Sequence, residues 1–446
     1  MRAIKSVKTV DFVGYSREYG CYVFNELAVK DGQISTLNDE DFFELGKLSI
    51  KTLNQSVTLS INPDLQTYQS DWLGKLWHCF GAKGIIALAF WFGALFAEQI
   101  RAEHKSFPFL EIVGEPGAGK STLIEFMWKL FGRRDYEGFD PSKSSLAARA
   151  RNFAQVSSMP VVLIEGDRGE DTAKARTFDW DELKTAYNGR SVRAIGVKNG
   201  GNETREPPFR GAIVISQNAS VTASEAVLQR IVHLHFDRTA QTRQTKILAE
   251  ALERTPLDNV SGFILHAITR EAAILKCLYE RTPIYEAQLQ QLPEIHSMRI
   301  AKNHAQLMAL VDALELVAPL SQAQRDAAHA ELSNIAIQRQ QTINADHPIV
   351  QEFWDMFDYL DGDDSEPRLN HSHDENLIAV NLNHFATLAA DRRQQVPPLT
   401  ELKRHLRSSK VRKFIDVKPV RSIIRSNEPH NRALPAIVKC WVFKRP

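Results

Sequence analysis

The chain has 446 residues, 43% of them hydrophobic and 24% charged, and this composition excludes a disordered or fibrous protein while the length predicts several domains. A formal net charge of +1 excludes a polycation, so any nucleic-acid contact must come from local basic clusters. Four widely spaced cysteines without a CxxC pair exclude a zinc knuckle, argue against a disulfide framework and favour a reducing cytoplasm.

The N-terminal residues 9–62 alternate between apolar and polar side chains, with turn formers such as Asp31 and Gly32 between the runs. A period of two predicts strands, so we expect a β-rich module over residues 1–70. The abrupt start in a strand-like segment suggests the C-terminal portion of a longer protein. The residues near Met1 contain no apolar run of the kind that forms a signal peptide. We therefore expect the protein to stay inside the cell.

Two helices are predicted next, over residues 71–80 and 84–104. The uncharged stretch at residues 84–97 is very apolar, but its 14 residues fall short of a bilayer span, which needs roughly 18 to 20. We interpret it as a buried helix and expect no membrane partner.

A glycine-rich segment then follows a predicted buried strand at residues 107–113. The sequence GEPGAGKS at residues 114–121 matches GxxxxGK[ST], in which backbone N–H groups surround phosphate oxygens and a lysine reaches the β and γ phosphates. The Ser121 hydroxyl is suited to Mg²⁺, so we expect ATP and Mg²⁺ as cofactors; the alternative is a glycine turn without a ligand. The residues expected to hold the nucleotide are Gly114, Glu115, Pro116, Gly117, Ala118, Gly119, Lys120, Ser121 and Thr122.

Acidic residues follow the next predicted strand. A helix over residues 122–131 ends near Gly132, and strands at residues 159–164 and 212–216 complete a mostly parallel α/β sheet. Glu165 comes directly after the first of these strands, so we assign it to the metal. Asp167 either helps the metal or serves as the catalytic base, since Gly166 interrupts the usual adjacent acidic pair. Alternatively, both acids are surface residues.

Two further polar residues complete the predicted catalytic set. Asn218 follows the strand at residues 212–216, where an amide could orient the attacking water, although Asn also favours turns. Arg230 ends a predicted helix over residues 224–230 and could reach the γ phosphate held by a neighbouring subunit. The alternative is a surface arginine.

The C-terminal part changes character twice. Residues 247–343 are rich in Ala, Leu, Glu and Gln and predict a helical domain, placed at 246–350, and the acidic run at residues 361–367 predicts an exposed loop. Residues 401–446 contain thirteen Lys and Arg against three Asp and Glu. This local excess is hidden in the net charge of the chain.

The order of these motifs over residues 80–240 resembles superfamily 3 and related AAA+ helicases, which include viral replication helicases and helicase modules of phage and integrative-element primase-helicases. In that class a β-hairpin before the last of these strands grips single-stranded DNA. Residues 191–197, a polar turn at 198–204 and the return at 205–210 fit such a hairpin. The resemblance implies Lys198 as the tip contact, with Arg193 and Arg205 nearby. A plain surface hairpin is the alternative.

The C-terminal end resembles a winged-helix module of the kind that accompanies such helicases. Residues 399–414 predict a basic helix, and residues 414–424 and 436–443 predict strands. The resemblance implies DNA contacts by Lys410, Arg412 and Lys413, with protein docking as the alternative. We expect four domains: a β-rich module at 1–70, an AAA+ P-loop ATPase core at 71–245, a helical domain at 246–350 and a winged-helix-like domain at 351–446.

These expectations combine into an ATP-driven DNA helicase subunit that forms a ring, expected to be a hexamer, on single-stranded and fork DNA. It would act in replication of a mobile element, phage or plasmid. Neither zinc ligands nor a polymerase-like acidic constellation can be assembled, so a primase would lie on a missing N-terminal part or a separate chain. The alternatives are an AAA+ remodeller or loader without unwinding activity and a non-motor P-loop enzyme.

Overall fold

The computed structural model describes residues 6–164, 178–192, 195–196, 204–362, 369–426 and 436–446. The chain divides into two compact units, Met1–Gln340 and Gln341–Pro446. The strands of the first unit are β1 (Lys8–Val10), β2 (Val13–Ser16), β3 (Cys21–Val23), β4 (Leu27–Lys30), β5 (Gln33–Thr36), β6 (Phe43–Leu45), β7 (Leu48–Thr52), β8 (Phe109–Gly114), β9 (Val156–Ser157), β10 (Pro160–Ile164), β11 (Ile195–Gly196), β12 (Thr204–Arg205), β13 (Ala212–Gln217) and β14 (Ile231–Phe236).

The first unit also contains helices, and after β14 it consists of helices and the segments that connect them. They are α1 (Trp72–Ala94), α2 (Ala97–His104), α3 (Lys120–Leu130), α4 (Leu146–Ala154), a 3₁₀ helix (Trp180–Asn188), α5 (Glu225–Leu228), α6 (Arg243–Arg254), α7 (Leu257–Val260), α8 (Gly262–Ile268), α9 (Glu271–Gln290) and α10 (Met298–Leu314). Helix α11 (Gln322–Asn344) contains the boundary between the two units. Helices therefore occupy much of the segment in which the sequence predicts them.

Seven short strands lie at the N-terminus, where alternation predicts strands. They form a three-stranded sheet in the order β1-β7-β6 and most of a five-stranded sheet in the order β5-β4-β3-β2-β9. Strand β9 comes from beyond the P-loop helix and pairs in parallel with β2, with Val156 opposite Val13. The N-terminal strands thus share a sheet with the segment that precedes β10.

Helix α1 is broken at Gly81, whose φ of 54° and ψ of −145° are non-helical. This break agrees with the two predicted helices, although the second of them is interrupted again between Ala94 and Ala97. By length and composition α1 could cross a membrane, yet 61% of its most apolar window is buried within the protein. The burial indicates a core helix.

The central sheet has the strand order β10-β13-β8-β14, and all its pairings are parallel. All six residues of β8 are buried, as are all six of β13. Strands that are buried at every position are covered on both faces of their sheet. The predicted parallel α/β sheet is confirmed, and strand β13 lies between β8 and β10.

The second unit contains α12 (Pro348–Asp361), β15 (Leu377–Val380), α13 (Leu382–Asp391), α14 (Leu399–Leu406), β16 (Phe414–Arg421), α15 (Ile423–Ser426) and β17 (Ile437–Lys444). The strands pair antiparallel in the order β15-β17-β16. Phe353, Trp354, Phe385, Leu402 and Phe443 pack together in its core. Trp354 and Phe443 meet edge to face, with ring centroids 4.8 Å apart.

The predicted helix over residues 399–414 is wrong in length, because α14 ends at Leu406. Ser409 is buried and leaves the helical path: its hydroxyl accepts a bond from Trp354 Nε1 and donates one to the Asp346 carboxylate, both at 3.0 Å. The backbone N–H of Lys410 also donates to Asp346. These distant partners outweigh the helical propensity of the basic segment.

Candidate nucleotide-binding site

The loop between β8 and α3 depends on glycines at three positions. Gly114 has φ of 154°, and an added Cβ would lie 1.9 Å from the carbonyl oxygen of Phe236 in the neighbouring strand β14. Gly117 and Gly119 have φ of 79° and 89°, in the left-handed region. Gly119 precedes the first turn of α3, so the positive end of this helix adjoins the loop, an arrangement that favours anions.

Lys120 crosses this loop and meets Asn218. Its side chain is only 9% exposed, and Nζ donates to the carbonyl oxygens of Gly114 and Glu115 at 2.5 and 3.0 Å and to Asn218 Oδ1 at 3.0 Å. Gln217 pairs with Val113, which places the ends of β13 and β8 side by side. Two residues predicted for one site are therefore brought together, although their roles stay predictions.

Carboxylates that the sequence does not predict for this site contact the next two residues. The Ser121 hydroxyl donates to Glu137 Oε1 at 2.9 Å, and the Thr122 hydroxyl donates to Glu253 Oε1 at 2.7 Å. Glu253 belongs to α6, whereas Glu137 lies outside regular secondary structure. No local pattern marks Glu137, so its contact with the loop could not be found from sequence.

The predicted acids Glu165 and Asp167 lie outside the described residues. Strand β10, which leads to them, ends at Ile164, and Ile164 pairs with Ser216 in β13. The assignment of Glu165 to the metal and of Asp167 to the metal or to base catalysis stays a prediction.

A cavity of about 1110 Å³ opens beside the loop. Trp77, Phe80 and Gly81 line it from the break in α1, and Thr242 and Lys246 line it from the start of α6. Phe80 meets Phe236 edge to face at 6.1 Å. The cavity combines aromatic faces with polar groups, as small-molecule sites commonly do.

Residues after β14 fasten the outer side of the loop. The Arg238 guanidinium donates to the Pro116 carbonyl oxygen and lies 3.6 Å from the Glu115 carboxylate. Gln241 Nε2 donates to the Gly117 carbonyl oxygen at 2.7 Å. The loop is thereby linked to the segment that leads into α6.

Arg230 follows the short helix α5 and precedes β14. Its guanidinium donates to the Ala226 carbonyl oxygen and lies 5.1 Å from the centre of the Tyr187 ring. Burial and then the charge of Arg299 lower the pKa of Arg230, against a raising effect of Tyr187. Within the described parts of the chain, neither arginine has a carboxylate within ion-pairing distance; Arg299 donates to Gln229 Oε1 at 3.1 Å.

The predicted DNA-binding hairpin is described only in its arms. Strands β11 and β12 pair antiparallel, with Ile195 opposite Arg205. Arg193, Lys198 and the side chain of Arg205 lie outside the described residues. The antiparallel arms agree with the predicted hairpin, and its contact with DNA stays a prediction.

The three basic residues predicted for the second unit differ in their surroundings. Arg412 Nη2 donates to both Asp358 carboxylate oxygens at 2.6 and 2.7 Å, and its guanidinium lies 4.5 Å from the centre of the Trp354 ring. Lys410 Nζ donates to the Ile343 carbonyl oxygen, and Lys413 is exposed. All three follow α14 rather than lying on it.

A buried charged cluster links the loop strand to its neighbours. Glu111 in β8 is 0% exposed; Oε2 lies 2.7 Å from His233 Nδ1 in β14 and 3.2 Å from Arg339 Nη2 in α11. Glu111 Oε1 accepts a hydrogen bond of 2.5 Å from the backbone N–H of Val221, which is three residues after Asn218 in the sequence. Burial raises the pKa of Glu111, but His233, Arg339 and Val221 together bring it below its usual value.

The parallel sheet, the glycine loop, the lysine that crosses it and the following helix define a P-loop nucleotide-binding fold. No protein-family model and no curated protein matches the sequence. Among solved structures, the active helicase Cch of SCCmec type IV matches over 95% of this chain and 79% of its own, with a TM-score of 0.53 at 10% identity.

Two other solved structures are similar over shorter spans. The NrS-1 C-terminal region covers 67% of this chain and 88% of its own at 12% identity and a TM-score of 0.30. The JCV helicase covers 59% and 70% at 15% identity and a TM-score of 0.25. At 10% identity the likeness to Cch concerns the fold alone, and at that level the predicted resemblance to helicase chains is confirmed.

Proposed function

We propose that this protein is an ATP-driven DNA helicase subunit that assembles as a ring, expected to be a hexamer, and tracks along single-stranded DNA. It would act in the cytoplasm during replication of a mobile element, phage or plasmid, on single-stranded and fork DNA. The observation that supports it best is the 3.0 Å contact between Lys120 and Asn218, because Asn218 directly follows β13, the strand that comes after hairpin β11–β12.

The groups at the nucleotide site would suit ATP. Residues 114–122 would hold the phosphates through backbone N–H groups and Lys120, and the neighbouring cavity would take the nucleoside. The Ser121 hydroxyl and the carboxylate beside it are oxygen donors of the kind that Mg²⁺ prefers, with Glu165 as a further donor. When bound, Mg²⁺ neutralises charge that develops on the phosphates during transfer.

Coupling to DNA would run through strand β13. Six residues, 206–211, separate β12 from β13, and β13 leads directly to Asn218. A change in the contacts of Asn218 on hydrolysis would therefore move the strand that carries the hairpin. Lys198, with Arg193 and Arg205, would transmit this movement to the phosphates of one DNA strand.

Assembly would complete the catalytic site. Arg230 lies beside a second arginine and has no carboxylate partner in the described chain, so an anion from elsewhere would match its charge. We assign this anion to the γ phosphate in a neighbouring subunit. A monomer should therefore hydrolyse ATP slowly.

The second unit would contribute DNA contacts. The element order α12, β15, α13, α14, β16, α15, β17 and the sheet order β15-β17-β16 support the winged-helix-like domain that the sequence predicts. Exposed Lys413 is the best placed of the three predicted contacts. A primase, if one belongs to the system, would reside on another polypeptide or on a preceding part of a longer chain.

The test is the ATPase rate with and without single-stranded DNA, together with strand displacement, for wild type, Lys198→Ala and Lys120→Ala. Wild type should be stimulated by DNA and unwind it. Lys198→Ala should keep basal hydrolysis but lose stimulation and unwinding, whereas Lys120→Ala should lose hydrolysis altogether. The control Lys276→Ala removes an exposed lysine of α9 and should behave as wild type.

An oligomeric wild type that hydrolyses ATP without DNA stimulation or unwinding would favour the AAA+ remodeller or loader. Consumption of ATP only by transfer of its phosphate to a small molecule would favour a non-motor P-loop enzyme. In either case the helicase proposal would be abandoned.

A further inference from the structure

Glu137 is held beside the nucleotide loop by two residues of α3, the helix that follows this loop. Its carboxylate accepts the Ser121 hydroxyl at 2.9 Å, and its backbone carbonyl oxygen accepts Trp128 Nε1–H at 3.1 Å. Trp128 also contacts the Tyr136 ring, with centroids 5.5 Å apart. The first turn and the third turn of α3 therefore both contact Glu137, so its position does not depend on one exposed side chain.

The segment that contains Glu137 also joins the central sheet. Phe139 forms a parallel bridge to Leu163, with its N–H donating to Val162 at 3.1 Å and its carbonyl accepting from Ile164 at 3.0 Å. An added Cβ at Gly138 would lie 2.6 Å from the Val162 carbonyl oxygen, so only glycine allows this approach. Glu137 is thus fixed between α3 and the strand that precedes residue 165.

The charge around this contact is unfavourable for a bare triphosphate. Glu137 and Glu253 both lie close to Glu125, and burial, then Glu137, then Glu253 raise the pKa of Glu125. Carboxylates beside a phosphate-binding loop repel the nucleotide unless a cation lies between them. Oxygen donors from carboxylates and hydroxyls are the ligands that Mg²⁺ uses.

We propose that Glu137 is a metal-positioning residue of the nucleotide site, which together with Ser121 forms the side of the site that receives the Mg²⁺ accompanying the nucleotide. Glu137 would hold the Ser121 hydroxyl in place. Its carboxylate would either coordinate the cation or accept a hydrogen bond from water bound to it. This inference rests on the proposed ATPase function and adds a third acid to the two that the sequence predicts.

The experiment measures the affinity of a fluorescent ATP analogue for the full chain with Mg²⁺ and with EDTA, in wild type and Glu137→Gln. Binding of Mn²⁺ in the presence of the nucleotide, followed by electron paramagnetic resonance, gives a second readout that does not depend on hydrolysis. Glu137→Gln should reduce Mn²⁺ affinity on the order of tenfold. Its nucleotide affinity in EDTA should stay the same or increase, since a repulsive charge is removed.

Glu253→Gln is the matched control, because Glu253 contacts the adjacent Thr122 at 2.7 Å and carries the same charge. It should change nucleotide affinity equally with and without Mg²⁺. Glu137→Asp keeps the charge on a shorter side chain and should restore part of the metal affinity. Circular dichroism of each variant would show whether a lower affinity comes from lost folding and not from the lost charge.

Equal effects of Glu137→Gln in Mg²⁺ and EDTA, or unchanged Mn²⁺ affinity, would overturn the inference while leaving the ATPase proposal in place. A wild-type chain that binds the analogue under neither condition would instead refute the proposed function. The two failures are therefore distinguishable.

Discussion

Arg230 in the first unit and Arg412 in the second are both predicted from sequence as functional cations, yet their surroundings are opposite. Arg412 is 13% exposed, donates to both oxygens of Asp358 and lies over Trp354. Arg230 donates to a backbone carbonyl, lies over Tyr187 and has Arg299 as its charged neighbour. One guanidinium has its counter-charge within its own unit, and the other has a like charge beside it.

This difference separates a guanidinium that already has a carboxylate partner from one for which the described residues supply none. A guanidinium that already pairs with a carboxylate on both oxygens must lose that pair before it can bind phosphate. Two neighbouring arginines without a carboxylate, by contrast, are stabilised by an incoming anion. The comparison keeps Arg230 as the candidate for contacting the γ phosphate of a neighbouring subunit. It favours a structural role for Arg412.

The largest expected effect breaks the comparison at Arg230. Arg230→Ala should lower the ATPase rate of the assembled protein by about a thousandfold, because an arginine supplied to a neighbouring phosphate stabilises the transferring group. Nucleotide affinity, measured with the fluorescent analogue, should change little. Arg270→Ala, which removes an exposed arginine bonded to the His266 carbonyl oxygen four residues earlier, is the control and should keep its rate.

Mixing subunits tests whether Arg230 acts in trans. Subunits with Arg230→Ala retain Lys120, and subunits with Lys120→Ala retain Arg230, so mixed rings should regain hydrolysis that neither variant shows alone. A monomeric preparation with full activity, or mixed rings without any regain, would show that Arg230 does not act across an interface.

A smaller effect is expected at Arg412. Arg412→Ala should destabilise the second unit by about 2 kcal/mol, mainly through the lost contact with Trp354, since the 55% exposed Asp358 makes the ion pair itself a weak contributor. Hydrogen exchange at the amides of β16 and β17 would measure it. Lys413→Ala should change stability by under about 0.5 kcal/mol and should weaken DNA binding.

The opposite pattern would reverse this assignment. If Arg412→Ala weakens DNA binding at low and high salt while exchange in β16 and β17 stays unchanged, Arg412 is a DNA contact and its pair with Asp358 is incidental.

Local patterns explain which parts of the fold are predictable. The GxxxxGK[ST] signature and the largely apolar runs of β8, β10 and β13 depend on neighbouring residues, so their positions follow from sequence. The meeting of Lys120 and Asn218 follows from the order of strands.

Contacts between distant residues explain what could not be predicted. The end of α14 at Leu406 depends on Ser409 and on Asp346, 63 residues earlier in the chain. Glu137 and Arg299 reach the site by tertiary packing, and no spacing or periodicity marks them. Basic residues also look alike in sequence whether or not a carboxylate such as Asp358 lies opposite.

The smallest expected effect sharpens the comparison through pH in the second unit. His371 is buried, with Nδ1 2.8 Å from Ser422 Oγ and Nε2 3.1 Å from His384 Nδ1. Burial, then the charges of His384 and Arg425, lowers its pKa from 6.5 to about 4. Between these values the unfolded chain binds a proton that the folded chain does not, so stability falls as the pH falls through this window.

The loss should be about 1 kcal/mol between pH 6.5 and 5.5, measured by hydrogen exchange at the amides of β15, to which the backbone of His371 is bonded through Ala379. His371→Gln should be less stable at pH 7 but should show a shallower pH dependence. If the slope is the same in both proteins, other histidines govern the acid sensitivity of this unit.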